Sequence, residues 1–309
     1  MKNQELSVRS FQEGDEEFQA IIYNKVMREI DPQIPEITPE EMKKHYEEDP
    51  EFVPEGLKIL VNSKNQVVGY AKCSSRLGSY SLQFPLILEE YRSEKTLSTL
   101  LEFMYLFARN KVPKSIRSTY LKKYEQIHDF FRNQKVININ NIVVTQRLKL
   151  SVDKLNFELP GYKFEAFTPK DFDKLLSFRY SRESIIGREL SPEILKRYLK
   201  NKNYSSSFIY QKGDLLGWGC VRINYPPNDY DKSLRYPIGV LSDFCYDSSH
   251  NDLLSLRKAL FKSGFTFLHN NKISEFRVWT NDSSSIFEQR DKYGFELTGE
   301  SELIYEFET

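Results

Sequence analysis

ILVNSKNQVVGYAKC (59–73) and FIYQKGDLLGWGCVR (208–222) are two copies of one hairpin, and that repetition decides how the chain is organised. Each opens with an apolar run, crosses a polar turn, and continues with a second run whose third residue is glycine. Working outward, VRSFQEGDEEFQAII (8–22) recurs as FEAFTPKDFDKLL (164–176), and TLSTLLEFMYLFARN (96–110) as SLRKALFKSGFTFLHNN (255–271). HDFFRNQKVIN (128–138) recurs as FEQRDKYGFEL (287–297). The spacings agree. Phe11 matches Phe167 at 156 residues, Gly69 matches Gly217 at 148, and both Leu101–Leu260 and Val136–Phe295 stand 159 apart. One deletion before the second hairpin and one insertion after it, in NYPPNDYDKSLRYP from Asn224, account for the differences. A repeat this long is a duplicated domain rather than a solenoid unit. The expected organisation is two domains, 1–150 and 151–309.

Composition agrees. The 309 residues suit two domains that each bury a core. An apolar content of 39% with 22 Phe and 19 Tyr is that of a globular chain. Lys+Arg and Asp+Glu balance at 44 each, so net charge draws the chain to neither nucleic acid nor an acidic membrane. Cys73, Cys220 and Cys245 lack paired spacing and read as buried strand thiols in a reducing compartment. No apolar run approaches the ~18 residues of a membrane span, and MKNQELSVRS has no signal-peptide core. A cytoplasmic location is the expectation.

Each half reads as strand, helix, hairpin, strand, helix, strand, helix, strand: a mixed, mostly antiparallel α/β sheet flanked by helices. Residues 81–88 read as one strand. Leu97, Leu100, Leu101, Met104, Tyr105 and Ala108 follow helical spacing, with Pro113 beyond the end. Leu253, Leu256, Leu260 and Phe267 form the stripe of the matching helix, and Ser248, Ser249, Asn251 and Asp252 are available to cap it. Residues 31–55, with five prolines among many acids, read as a surface-lying helix and loops near a substrate mouth. LKLSVDKLNFELPGY (148–162) reads as the linker.

Three pieces carry a resemblance. YRSEKTLSTLL (91–101) looks like the tyrosine-arginine-glycine-rich turn and helix of the GNAT superfamily of N-acyltransferases. DKYGFEL (291–297) looks like its lysine-leucine-glycine-phenylalanine helix end. LPGYKFEAF (159–167) with RVWTND (277–282) resembles the second repeat of tandem members such as the mycothiol-synthase-like proteins. The resemblance implies two tandem GNAT-like domains, an acyl-coenzyme A co-substrate (acetyl-CoA or another acyl-CoA), no metal, and a small-molecule or peptide amine as acceptor. In that family the pyrophosphate lies on main-chain N–H groups at a helix start after the fourth strand, where glycines let the backbone approach.

The sequence departs from this pattern in both halves. Lys95 and Leu97 stand where the first half should carry glycines, and Leu253 and Ser255 where the second should. Lys135 replaces the later glycine of the first half, while Gly294-Phe295 keeps it in the second. Arg290 stands where a tyrosine acid is usual.

Asp243, on the fourth strand of the second half, is the base that the resemblance implies, or else a solvated strand or turn residue. Tyr246 and Tyr293 are phenols able to protonate a thiolate, although packing is the plainer role in a chain so rich in tyrosine. Cys245 has no histidine placed to activate it and reads as a strand thiol beside the cofactor arm. Ser249, His250, Asn251, Leu253 and Ser255 form the expected phosphate turn. Asn281 and Ser284, with their serine neighbours, are candidates for bonding the pantetheine amides, or form an ordinary turn. Arg92, Ser93, Lys95 and Thr96 make a second anion cluster, or a capped, solvated helix start. His45, His128 and His269 have no metal-ligand spacing. The leading expectation is an N-acyltransferase acting mainly through its second half. The alternative is a non-catalytic protein that keeps the fold to bind a partner or sense acyl-CoA.

Overall fold

The computed structural model describes residues 5–48, 52–76, 79–181, 199–225, 236–281 and 284–309. It divides into two compact units, Met1–Thr145 with Ser301–Thr309, and Gln146–Glu300. The division falls five residues before the expected boundary at 150, and the last nine residues group with the first unit.

The first unit runs β1 (Leu6–Ser10), α1 (Asp15–Ile30), α2 (Pro39–Glu48), β2 (Leu57–Asn62), β3 (Val67–Arg76), β4 (Ser79–Leu82), β5 (Leu86–Ile87), α3 (Glu94–Arg109), β6 (Ser115–Leu121) and α4 (Glu125–Asn133). It is completed by the start of β7 (Ile139–Ser151) and the end of β13 (Glu296–Phe307). Its sheet order is β1-β2-β3-β4-β6-β13-β7, with β5 also on β3. The β4–β6 pair is parallel, and β13 runs antiparallel to β6.

The second unit contains the end of β7, β8 (Tyr162–Ala166), α5 (Phe172–Ser181), β9 (Tyr204–Gln211), β10 (Asp214–Asn224) and β11 (Ile238–Tyr246). There follow α6 (Leu253–Lys262), α7 (Phe265–Asn270), β12 (Glu275–Asn281), α8 (Ser285–Glu288), α9 (Arg290–Tyr293) and the start of β13. Its order is β8-β9-β10-β11-β12-β7-β13. The strand beside β6 is therefore β13, and the strand beside β12 is β7. Each unit takes this strand from the other half of the sequence.

Each unit has its own core. α3 buries Leu100, Leu101, Met104, Tyr105 and Ala108. In the second unit Phe261 and Phe276 pack with Phe295 and Tyr293, and fully burying a side chain of Phe size stabilises by about 1.5–3 kcal/mol.

Three expectations change. The helix expected through Phe267 breaks after Lys262, because Gly264 lies so close to β10 that a Cβ there would meet Val221 at 2.5 Å. Leu268, not Phe267, is then the fully buried side chain. The stretch expected as a linker instead continues β7 and closes in a helical turn, placing Leu148, Leu150, Val152 and Leu155 in the second core. Residues 31–48 are not merely surface-lying, since Ile34, Ile37, Met42 and Tyr46 are buried in the first core.

The two Gly-Phe-like turns diverge for a visible reason. Gly294 ends α9 at φ +78°, a left-handed position that glycine tolerates, and Phe295 N–H returns to Arg290 C=O at 3.0 Å. After α4 the chain leaves in extended conformation at Gln134. The Gln134 amide closes that turn by accepting from Val136 and Ile137 N–H, each at 2.9 Å. Lys135 needs no glycine conformation.

His128 of α4 ties the C-terminal strand into the first unit. Its Nε2 stands 2.8 Å from the Leu121 carbonyl oxygen and so carries the proton; Nδ1 accepts from the Tyr305 hydroxyl at 2.9 Å. Burial lowers its pKa, outweighing the Leu121 bond that raises it. A histidine held neutral contributes stability above its unfolded pKa of about 6.5, and loses it as pH falls from there through the lower folded value. Urea unfolding at pH 7.5 and 5.5 should therefore show a larger acid loss for the wild type than for His128→Gln. Equal losses would remove His128 from this role.

Candidate functional site

In a parallel strand pair that stops short, the main-chain groups beyond the last rung need other partners. Both units contain such a pair. Gly69 pairs with Ile87 and Gly217 with Tyr246. Counting from these glycines makes Leu82 equivalent to Leu241, Phe84 to Asp243 and Pro85 to Phe244. The parallel ladders match Ile116 with Phe276, and hence Ser118 with Val278 and Tyr120 with Thr280.

In the first unit the pair is closed by side chains. The ladder covers Ser79–Ser115, Tyr80–Ile116 and Ser81–Arg117. Beyond it, the buried Ser118 hydroxyl donates to the Leu82 carbonyl, and Phe84 N–H donates to the Tyr120 hydroxyl. The next residue, Pro85, has no N–H to offer. The strand expected over 81–88 is interrupted here, leaving β4 and β5 as separate pieces.

In the second unit, among the described residues, the ladder covers only Gly239–Phe276 and Val240–Arg277. β11 bulges at Ser242, where the register on β10 shifts between Cys220–Asp243 and Val221–Leu241. Asp247 N–H bonds the Leu216 carbonyl at 2.8 Å. By antiparallel alternation Cys245 also faces β10, while Phe244 and Tyr246 turn their N–H and C=O groups toward β12. Val278, at the Ser118 position, has no hydroxyl. Thr280, at the Tyr120 position, carries only a short one, in contact with Ser284 Oγ. The hydroxyl that Ser118 offers in the first unit is thus replaced by an apolar side chain at Val278 in the second.

The helix starts tell a different story. At α3, Ser93 Oγ accepts from Thr96 N–H at 3.1 Å and Thr96 Oγ1 accepts from Ser93 N–H at 2.9 Å, a reciprocal capping box. Arg92 donates to the Ile87 carbonyl at 2.9 Å and pairs with Glu29 at 2.7 Å, while Lys95 is exposed. The first-unit anion cluster is thus engaged in structural contacts apart from Lys95. At α6 the cap is Asp252, whose carboxylate accepts from Ser255 N–H at 2.9 Å. Hydrogen bonds from Ser255 hold this carboxyl below its ordinary pKa. His250 Nδ1 accepts from Asp252 N–H at 3.2 Å and its Nε2 donates to Gln211 Oε1 at 2.9 Å. Ser249 donates through both N–H and hydroxyl to Asp247. Asn251 is exposed, and Leu253 packs partly into the core. The expected phosphate turn is therefore a self-bonded cap.

Of the catalytic candidates, Asp243 follows the β11 bulge and pairs with Cys220; its side chain and that of Asn281 lie outside the described residues, as does Ser283. Tyr246 and Tyr293 are buried together beside Arg257 of α6. Arg257 donates to the Tyr246 hydroxyl at 3.0 and 3.2 Å. Burial raises the Tyr293 hydroxyl above its ordinary pKa, and Arg257 offsets part of the rise. Cys245 is a buried thiol outside any disulfide, as are Cys73 and Cys220. Ser284 Oγ accepts from Phe287 N–H at 3.1 Å. Arg290 donates to the Phe287 carbonyl at 3.1 Å and lies over its ring. Among the described residues no group of His, Cys, Asp and Glu is arranged to hold a metal ion, and no helix is long and apolar enough to cross a membrane.

Sequence reasoning missed Ser118, Tyr120, Pro85 and Arg257. The signals were present: IRSTYL (116–121) carries two hydroxyls on one strand face where FRVWTN (276–281) carries Val and Thr. Arg257 stands four residues after Leu253 and three before Leu260, inside the buried stripe.

No protein-family model matches the chain, and no curated protein matches its sequence. Solved structures do match its fold. A GCN5-related N-acetyltransferase from Sphaerobacter thermophilus aligns over 97% of this chain and 95% of its own, at TM-score 0.65 and 9% identity. A tandem GNAT protein from the clavulanic acid biosynthesis pathway aligns over 98% of both chains at 0.61 and 12%. Saccharomyces cerevisiae N-myristoyltransferase, solved with myristoyl-CoA, aligns over 99% of this chain and 79% of its own at 0.57 and 11%. The chain has the tandem GNAT fold, with a mixed α/β architecture along nearly its whole length.

Tyr120→Phe should strand the Phe84 N–H and lower unfolding free energy by about 1–3 kcal/mol. Urea denaturation measures this. An unchanged midpoint and slope would show that the Tyr120 hydroxyl does not close the first unit.

Proposed function

We propose that the protein is an acyl-CoA-dependent N-acyltransferase whose transfer site lies in the second unit, with the first unit non-transferring. The observation that carries this reading is the contrast between the strand pairs. The first is stoppered by Ser118, Tyr120 and Pro85; the second leaves the Phe244 and Tyr246 main chain turned toward β12 beyond a two-rung ladder. Such groups suit the amides of a pantetheine arm.

An amine attacking a thioester must lose a proton, the carbonyl oxygen gains charge, and the departing thiolate takes a proton. In this reading main-chain N–H groups at the β11 bulge meet the carbonyl oxygen, and Asp243 accepts the amine proton, directly or through water. Tyr246 and Tyr293 serve the Arg257 cluster instead of the thiolate, because the structure holds Tyr246 by its hydroxyl. The acceptor is a small-molecule or peptide amine. Residues 226–235, in a loop expected to shape its pocket, lie outside the described residues. Three buried thiols fit a cytoplasmic setting.

The α6 start favours a second reading, a non-catalytic protein of the same fold. Asp252 places a carboxylate on the N–H that a pyrophosphate would use, and like charges repel there.

Thermal unfolding with acetyl-CoA separates the two. Ligand at 100 times its dissociation constant stabilises by about 2.7 kcal/mol, and Asp252→Ser, which keeps a neutral cap, should enlarge the shift. Absence of any shift at millimolar acetyl-CoA in both proteins sinks the transferase reading in favour of the second. Where binding is found, Asp243→Asn should slow acetyl transfer to an amine panel about 100-fold or more; an unaltered rate removes Asp243 as the base.

A further inference from the structure

The second unit buries a cation against a phenol. Arg257 lies in the second turn of α6 and is only 7% exposed. Its Nε and one terminal nitrogen both donate to the Tyr246 hydroxyl oxygen, and its guanidinium carbon stands 5.5 Å from the centre of that ring. Tyr293 is the second phenol beside it. Among the described residues no carboxylate pairs with it.

Phenol oxygens are neutral acceptors and compensate a buried charge poorly. An apolar side chain of similar length would fill the same space without that cost. Nor does the cation serve the α6 dipole, because it sits near the positive end of its helix. Its position is informative. Tyr246 closes β11, and Tyr293 ends α9, the second helix after β12. The guanidinium thus stands at the end of β11, four residues past an α6 start already occupied by Asp252. A planar guanidinium matches the paired oxygens of a phosphate group, and two adjacent hydroxyls can donate to the same anion once they turn.

We propose that Arg257, with the hydroxyls of Tyr246 and Tyr293, forms a binding site for a phosphate-class oxyanion within the second unit. The anion reaches it either as a phosphate of acyl-CoA, the source that rests on the transferase reading, or as free phosphate or pyrophosphate, which does not. Ligand binding exchanges the phenol contacts for charge-assisted ones and supplies the missing counter-charge.

The test is thermal unfolding of the full chain with sodium pyrophosphate, with acetyl-CoA, and with S-acetylpantetheine, which lacks phosphate, against chloride at matched ionic strength. Pyrophosphate should raise the wild-type midpoint. Arg257→Met should unfold at a higher temperature than wild type without ligand, yet bind pyrophosphate at least about tenfold more weakly. Arg257→Lys keeps the charge without the fork and should fall between them, which covers the case in which the methionine variant fails to fold. Pyrophosphate stabilising wild type and both variants alike overturns the proposal, as does no pyrophosphate effect on wild type. A pyrophosphate effect that depends on Arg257, with no response to acetyl-CoA, upholds the anion site and defeats the transferase reading. Acetyl-CoA binding that is the same in wild type and Arg257→Met removes acyl-CoA as the source of the anion and leaves the transferase reading standing. S-acetylpantetheine should be indifferent to Arg257; a loss of its binding in Arg257→Met would make the role one of packing and overturn the anion site.

Discussion

Two parallel strands that part after two or three rungs leave main-chain donors and acceptors that cannot be ignored, because an unbonded buried amide costs as much as a lost hydrogen bond. In the first unit the answer is internal. Ser118 and Tyr120 reach across from β6 to the groups β4 exposes, and Pro85 removes a donor altogether. In the second unit Val278 and Thr280 occupy the equivalent places, and the β11 groups after the bulge turn toward β12 without those side chains. Three substitutions at matched positions separate the two strand pairs.

The helix starts that follow β5 and β11 show the same logic with a different result. A glycine-rich turn leaves the first N–H groups of a helix open to an anion. Here both starts cap themselves, by Ser93 and Thr96 in one case and Asp252 in the other. The second unit therefore pairs a two-rung strand ladder with a self-capped helix start. Its positive charge lies deeper, at Arg257, where it stands among tyrosines. That cation lies about one turn further along the helix than the main-chain N–H groups at its start.

Much of the architecture was legible because it rests on local periodicity. The hairpins, the α3 stripe and the Gly294 turn each follow from patterns a few residues long. Other features depend on approaches between distant segments. Nothing local to Gly264 says that β10 lies within 2.5 Å of its missing Cβ, so one long helix was expected where two form. LKLSV was read by its closing Pro-Gly when its alternation already described a strand. The candidate site was legible in position but not in state. Glycine loss marked both helix starts as altered, yet whether Ser93 and Asp252 would bond ligand or backbone is settled by cap geometry alone. Arg257 was hidden by its chemistry, since an arginine in an amphipathic helix is usually solvated.

The strand arrangement also sets an order of events during synthesis. Ile116 pairs with Phe307, and Tyr305 is fully enclosed in the first core. A ribosome delivers the whole of the second unit before it delivers those residues. The first unit thus spends that interval with a vacant edge on β6, its sheet unfinished while the other assembles. Such an edge invites pairing with any passing strand. Chaperone dependence in this chain should concentrate in that interval, and its risk should grow wherever translation slows before residues 301–309 are made.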